Sequence, residues 1–251
     1  MPPPALATPS LMTLVREALA LVAPPACPAC RAPLAAARLV LCPACATRLP
    51  WLPRRCCPRC ALPSHRGRRC PAAGASFGRA WAPLAYDGVA RDLVAALKFR
   101  GALPLAALMA AQVAANLPAD LHPRAGPPAD PGGPDVTAHF AIVPVPPQRA
   151  RRRRRGFDPA GAVAAGVAER LGVPLLPCLE RRDRAPRQVG TSRRLRRRPG
   201  RLDIALRDSP PRRVLLFDDV HTTGATLDAC AAVLHAGGCG EIAAVAYART
   251  L

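Results

Sequence analysis

The sequence predicts an α/β fold with a parallel-sheet core and flanking helices, preceded by a small cysteine-rich module. From residue 78 onward, strand-like apolar runs alternate with segments of helical periodicity, the order of elements found in α/β sheets. Before residue 78 the cysteines occur in closely spaced pairs. The chain therefore divides into an N-terminal helix or leader (1–24), a cysteine module (25–77) and an α/β domain (78–251).

Size and charge limit the possible functions. The 251 residues have room for one α/β domain and a small module. The net charge of +20, from 36 basic and 16 acidic residues, suits phosphate-rich ligands or nucleic acid. Arg, Ala, Pro and Gly are all abundant, so a general bias in composition is an alternative cause of this positive charge. No apolar run is long enough to span a membrane, and residues 8–22 lack the features of a signal peptide.

The first cysteine set predicts a zinc site. Two Cys-x-x-Cys pairs can supply four thiolates to one tetrahedral ion: Cys27, Cys30, Cys42 and Cys45. Free or redox-active thiols are the alternative. Cysteines spaced for metal binding favour a reducing compartment, so we expect a cytoplasmic protein.

The second cysteine set is incomplete. It contains Cys57, Cys60 and Cys70, but the position where spacing predicts a fourth cysteine is Ala73. His65 or the neighbouring Cys56 could supply the fourth ligand. Otherwise the site is degenerate and Cys70 is simply buried. The sequence leaves one zinc ion or two open.

Elements of the larger domain follow in order. Strands are predicted over residues 80–86, 139–143, 214–217 and 241–248, and helices over 89–99, 103–117, 159–171 and 227–234. Between them, residues 118–134 form a Pro/Gly-rich loop.

The strand at 214–217 is followed by the most informative stretch of the chain. Asp218 and Asp219 come next, and the loop Thr222–Thr226 then leads into a helix. Free backbone N–H groups and the helix dipole at such a junction attract anions. An ordinary turn with an acidic N-cap is the alternative. His221 could lie near the ligand, but a hydrogen-bonding group at the surface is the expectation for a histidine in a loop.

Two acids beside an anion site need an explanation, because like charges repel. Carboxylates accept hydrogen bonds, so they suit a ligand with hydroxyls next to its phosphate, as in a ribose 5-phosphate. A nearby Mg²⁺ would offset the local negative charge.

Two arginine-rich stretches lie between the predicted strands. Arg149 and the run Arg151–Arg155 would repel one another unless an anion sits among them. Residues 181–201 form a second basic stretch, for which a solvated surface and a ligand role are both open.

The run from Val214 to Thr226 resembles the phosphoribosyl-pyrophosphate (PRPP) motif of type I phosphoribosyltransferases. With the cysteine pairs, the chain resembles the ComF/GntX family, in which a zinc ribbon precedes a phosphoribosyltransferase domain. Further markers are Tyr86–Gly88, Leu97–Gly101, Val143–Pro146, Arg155–Asp158, Arg184 with Gln188, and Arg249–Leu251. The chain departs from the family at Asp158, where Asn is usual, at Ala73, and near Arg198 and Pro199, where an Asn is missing.

The resemblance implies a role for each residue of the motif. Asp218 and Asp219 would be the catalytic residues and would bind the ribose hydroxyls. The 5-phosphate would be held by Thr222, Thr223, Gly224, Ala225 and Thr226. Candidates for the pyrophosphate are Lys98, Arg154 and Arg155. The implied reaction is Mg²⁺-dependent displacement of pyrophosphate from PRPP by an unknown acceptor.

The resemblance also implies an alternative without catalysis. A ComF-type competence factor would bind single-stranded DNA or a partner protein during DNA uptake, with PRPP as a regulator. An aromatic content of 4% disfavours a base-stacking surface. A third possibility is a structural module with a vestigial ligand site. The acceptor and the oligomeric state stay open.

Overall fold

The computed structural model describes residues 25–36, 38–65, 69–123, 140–182 and 202–251. Several sequence predictions fall outside these residues: the N-terminal helix or leader, residues 124–134 of the Pro/Gly-rich loop, His139, most of the second basic stretch, and the positions Arg184, Gln188, Arg198 and Pro199 that were compared with the family.

The described helices and strands alternate as predicted. The helices are α1 (Pro43–Thr47), α2 (Gly88–Arg100), α3 (Pro104–Asn116), α4 (Arg149–Arg155), α5 (Pro159–Leu171) and α6 (Ala225–Ala236), with a 3₁₀ turn at Ala119–Leu121. The strands are β1 (Arg79–Trp81), β2 (Leu84–Ala85), β3 (Phe140–Pro144), β4 (Leu179–Arg181), β5 (Ile204–Leu206), β6 (Arg213–His221) and β7 (Glu241–Arg249).

A parallel sheet forms the centre of the α/β domain. Its order is β1–β7–β6–β3, and β2 extends the β1 edge by pairing with β7. Because the strands are parallel, their carboxyl ends meet at one edge, where open α/β sheets bind ligands. A separate antiparallel hairpin, β4–β5, was not predicted from the sequence.

Apolar side chains cover both faces of the sheet. On one face, Leu215 and Phe217 of β6 pack in a buried cluster that includes residues of α2, α3 and α5. On the other face, Val214 and Leu216 pack with α6 and the β4–β5 hairpin. This alternation follows from the two-residue period of a strand. Full burial of one such side chain contributes about 1.5–3 kcal/mol.

The two halves of the cysteine module pack on opposite faces of this sheet. Cys27, Cys45 and Leu49 belong to the cluster of α2 and α3. Ala61 and Phe77 belong to the cluster of α6. The module therefore straddles the sheet edge formed by β1 and β2.

Three predicted boundaries were wrong. The predicted strand 80–86 is two short strands, because the chain leaves the ladder at Ala82 and Pro83. Strand β6 continues past Phe217 to His221, so both aspartates lie within it. Helix α6 begins at Ala225, so Thr226 lies in its first turn rather than in a loop.

Within the described residues, no helix combines the length and apolar character that crossing a membrane requires.

Candidate functional site

A pocket of about 170 Å³ opens at the carboxyl end of the sheet. Strand β6, the chain after β3, and the helices α2, α4, α5 and α6 contribute to its lining. Its polar lining contains three acids and four cations: Asp158, Asp218, Asp219, Lys98, Arg151, Arg155 and Arg181. Opposite charges in one cleft suit a ligand that has both hydroxyls and phosphates.

The two aspartates of β6 have different environments. Asp219 is buried, and its Oδ1 accepts a hydrogen bond from Lys98 Nζ at 2.6 Å. Asp218 Oδ1 accepts from the backbone N–H of Asp219 at 2.8 Å. Burial and then the charge of Asp219 raise the pKa of Asp218 to about 7. One carboxylate is thus paired with a cation, whereas the other is poised to gain or lose its proton near neutral pH.

The loop after β6 presents unpaired donors. Gly224 has a φ of +83°, and the next residue begins α6. A side chain at Gly224 would place its Cβ 2.8 Å from His221 Nε2, so the position requires glycine. Among the described residues, the backbone N–H groups of Thr223, Gly224, Thr226 and Leu227 have no hydrogen-bond acceptor. We call Thr222–Thr226 the phosphate loop, because free N–H groups at the start of a helix are of the kind that bind anions.

The arginine run forms α4, which ends at Gly156 with a φ of +78°. Arg151 and Arg155 line the pocket, whereas Arg154 is exposed and does not. The Arg155 guanidinium lies 5.0 Å from the centre of the Phe99 ring. Its buried Nε has no hydrogen-bond partner among the described residues.

Asp158 follows α4 and faces the same pocket. Burial, and to a lesser extent the charge of Asp219, raise the pKa of this carboxyl. The family's usual Asn would be neutral at this position, so this chain contains one more acid in its pocket than the resemblance implies.

The expectation for His221 was wrong, because this side chain is buried and not on the surface. Its ring packs edge-on against Phe77, with 6.1 Å between ring centres. Burial and then the nearby charge of Arg249 lower the pKa of His221 to about 4, so the ring is neutral at pH 7. The neutral ring packs against Gly224 and so supports the phosphate loop from the protein side.

The first four cysteines form a cluster with the geometry of a metal site. The sulfur atoms of Cys27, Cys30, Cys42 and Cys45 all lie within 4.8 Å of one another. Cys30 Sγ and Cys42 Sγ are 3.6 Å apart. A tetrahedral Zn²⁺ with four thiolates at about 2.3 Å would separate its sulfurs by about 3.8 Å. The cluster fits Zn²⁺.

A second cluster contains Cys57, Cys60, His65 and Cys70, also within 4.8 Å of one another. The structure selects His65 over Cys56, since the Cys56 thiol instead donates to the carbonyl of Pro53. His65 Nδ1 is buried without a hydrogen-bond partner among the described residues, as a ring nitrogen free to bind a metal would be. This cluster is also compatible with Zn²⁺.

Both clusters are built on the same turn. Arg31 and Ala61, each just after a Cys-x-x-Cys pair, adopt positive φ values of 67° and 58°. In each turn, the N–H of this residue donates to the carbonyl of the first cysteine at 2.9 Å. The tight turn brings backbone N–H groups toward the thiols.

These N–H groups favour thiolates. Burial alone would raise the pKa of Cys27 and Cys57, but backbone hydrogen bonds lower the pKa of each to about 6. Thiolates are the form that binds metal.

Comparison with known proteins supports this organisation. Residues 18–73 match the double zinc ribbon domain family. The chain is 34% identical over 114 residues to competence protein F of Haemophilus influenzae. That match covers 43% of this chain and 50% of the relative, so the chain spans about half the length of the relative. The two matches support a ComF-like protein with a zinc ribbon.

Each cluster is expected to retain one zinc ion. His65→Ala should reduce the zinc content from about two ions per chain to about one, because it removes a ligand from the second cluster. Metal analysis by mass spectrometry after desalting measures this. Cys56→Ser is the matched control and should retain both ions. Equal loss in the two variants would contradict the assignment of His65.

Asp218 is expected to make the ligand-free protein less stable as the pH rises. Its pKa is about 7 in the folded chain and about 4 when unfolded, so its stabilising contribution is present below pH 4 and lost through pH 7. Asp218→Asn should therefore raise the free energy of unfolding at pH 8 by up to about 4 kcal/mol, from about three pKa units at about 1.36 kcal/mol each, and by much less at pH 4. Urea unfolding across this pH range measures the difference. Asp208→Asn, at an exposed acid, is the control. A gain at pH 4 as large as at pH 8 would contradict the pKa assignment.

Proposed function

We propose that this protein binds PRPP and catalyses displacement of its pyrophosphate by an acceptor, as a phosphoribosyltransferase. The observation that carries the proposal is the juxtaposition at the end of β6. There, two carboxylates stand shortly before the phosphate loop, in which the N–H groups of Thr223, Gly224 and Thr226 have no acceptor among the described residues. PRPP has the matching order of groups, since its ribose hydroxyls lie beside its 5-phosphate.

Different residues bind different groups of the ligand. Asp218 and Asp219 accept hydrogen bonds from the ribose hydroxyls, and the phosphate loop binds the 5-phosphate through backbone N–H groups. Of the three cations that the resemblance implies for pyrophosphate, Lys98 and Arg155 line the pocket and Arg154 does not. Arg151 lines it as well and is the better third candidate.

The pocket also suits Mg²⁺, because its three carboxylates are oxygen ligands of the kind that this ion prefers. Bound with the pyrophosphate, Mg²⁺ would offset the charge that collects on the leaving group. With several acids in the pocket, Lys98 offsets one negative charge and holds the Asp219 carboxylate in place through its hydrogen bond.

The reaction breaks the bond from ribose C1 to the pyrophosphate oxygen, which leaves with the electron pair, and forms a bond from C1 to the acceptor. The ribose ring gains positive charge as the pyrophosphate departs. In this proposal the protein contributes by positioning the ribose and by stabilising the departing anion with fixed cations. An acceptor that attacks C1 through an N–H or O–H group gives up that proton to solvent.

Calorimetric titration of the zinc-loaded protein with PRPP and Mg²⁺ tests this function. Asp219→Asn should weaken binding by at least about tenfold, because a hydrogen bond to a charged group contributes about 1.5–3 kcal/mol. Asp208→Asn should bind as the wild type does, since this acid is exposed and does not line the pocket. No saturable binding to the wild-type protein, or equal binding by Asp219→Asn, would overturn the proposal.

A second candidate function is binding of single-stranded nucleic acid. It is favoured by a groove of about 670 Å³ that shares no lining residue with the PRPP pocket. Both tryptophans of the chain, Trp51 and Trp81, line it together with Arg54 and Arg79. The low aromatic content argued against a stacking surface, yet these two rings are concentrated in one groove. Indole rings and guanidinium groups together suit bases joined by phosphates.

Quenching of tryptophan fluorescence by oligothymidylate tests the groove. Trp51, which is 46% exposed, should dominate the signal, and Trp51→Ala should weaken binding by about 1–3 kcal/mol. The affinity should also fall as salt rises. PRPP binding by Trp51→Ala should stay unchanged and serves as the control. Oligonucleotide affinity that is unaffected by this substitution would place the contact elsewhere.

A further inference from the structure

The end of β7 contains a buried cation whose side-chain hydrogen bonds among the described residues all go to backbone carbonyls. Arg249 is 6% exposed, and no acid forms an ion pair with it in the described part of the chain. Its Nε donates to the carbonyl of Cys60 at 2.8 Å. Its terminal nitrogen Nη1 donates to the carbonyls of His221, at 2.9 Å, of Thr222 and of Thr250. One side chain therefore joins a cysteine of the second cluster to the first residue of the phosphate loop.

Because Arg249 holds these carbonyls, it also fixes the direction in which the backbone N–H groups of the phosphate loop point. A trans peptide unit is planar, and its C=O and N–H bonds point in opposite directions. When Arg249 holds the carbonyl of Thr222 on the protein side, the N–H of Thr223 must point the other way. The carbonyl of His221 sets the N–H of Thr222 in the same manner.

Two further contacts join the second half of the cysteine module to the same region. The N–H of Ser76 donates to Asp228 Oδ1, in the first turn of α6, at 2.6 Å. Phe77 packs against His221 just before the loop. Residues 72–78 are themselves held by Arg59, which lies between Cys57 and Cys60 and donates to the carbonyls of Ala72, Ala73, Ala75, Phe77 and Gly78.

In the part of the chain that the structure describes, the first cluster has no such connection. It packs beside α2, where Arg100 donates to the carbonyl of Pro28. No hydrogen bond among the described residues joins 25–36 or 38–49 to the phosphate loop. The first cluster can therefore serve as a control for the effect of the second cluster on the loop.

We propose that the second metal cluster sets the geometry of the phosphate loop through Arg249, which acts as a positioning residue. A metal ion bound at Cys57, Cys60, His65 and Cys70 fixes the carbonyl of Cys60, to which Arg249 is bonded. The role in PRPP binding rests on the proposed function, but the coupling between cluster and loop does not.

Amide hydrogen exchange on the whole protein tests this coupling. Cys70→Ser should lose one zinc ion and raise the exchange rate of a peptide spanning residues 221–227 by about tenfold or more, because the loop opens more easily. Arg249→Lys should retain both ions and raise the rate in the same peptide. An ammonium group cannot hold the carbonyls of Cys60 and Thr222 together as the wider guanidinium does.

Cys30→Ser is the matched control. It should lose the other zinc ion and alter exchange near the end of α2, while residues 221–227 keep the wild-type rate. Unchanged exchange in residues 213–217 of β6 shows that each variant is folded. The proposal is overturned if the loop keeps its wild-type rate in Arg249→Lys, or if Cys30→Ser opens it as much as Cys70→Ser does.

Linkage gives a second readout that separates this proposal from the proposed function. If PRPP binds the fixed loop, PRPP with Mg²⁺ should raise the equilibrium affinity of the second cluster for zinc, measured in competition with a chromogenic chelator, because coupling between binding free energies is reciprocal. The effect should be absent in Arg249→Lys. If PRPP does not bind the wild type but exchange responds as expected, the function is wrong and the coupling stands. If PRPP binds and exchange does not respond, the coupling is wrong and the proposed function stands.

Discussion

The placement of two carboxylates at the end of a buried strand is the constraint on which the site depends. Asp218 and Asp219 repel one another, and Asp158 adds a third acid to the same pocket. Lys98, the only lysine of the chain, offsets one charge through its contact with Asp219. Burial, and then the charge of Asp219, nevertheless raise the pKa of Asp218 to about 7. Such an arrangement costs stability and is typical of functional sites, where a bound hydroxyl donor or metal ion can relieve the repulsion.

Local sequence predicted the parts of this site that are contiguous in the chain. An apolar run, two acids and a Thr/Gly loop before a periodic segment specify strand, loop and helix within thirteen residues, Val214–Thr226. The strand was predicted too short, since the acids ended the apolar run. Backbone pairing does not depend on side-chain polarity, and Asp218 pairs with Ala246 in the same register as the residues before it. Helix α6 was likewise predicted to begin late, because Thr226 resembles the loop rather than the apolar helix.

Contacts between distant residues were not predictable from the same patterns. Arg249 meets Cys60 across 189 positions, and nothing in the local sequence of either residue marks the contact. The burial of His221 depends on Phe77, which the cysteine module supplies. For the fourth ligand of the second cluster, the sequence left His65 and Cys56 as candidates. Sequence spacing shows which residues are near enough to reach the metal, but it does not give the backbone conformation that decides between them. The roles of Lys98 and Arg155 came from the resemblance, and their approach to the pocket depends on how α2 and α4 pack.

The arrangement of the module explains why a ligand-binding domain would retain two metal clusters. The sheet edge at β1 and β2 is interrupted by Pro83 and is short, so it contributes little pairing of its own. The two halves of the module cover this edge from opposite faces. The first half packs on α2, which contains Lys98, and the second half packs beneath the phosphate loop. Because metal binding contributes folding free energy to such small modules, each ion supports a different wall of the same pocket. The module is therefore part of the framework of this pocket, and its two cysteine clusters lie behind different walls of it.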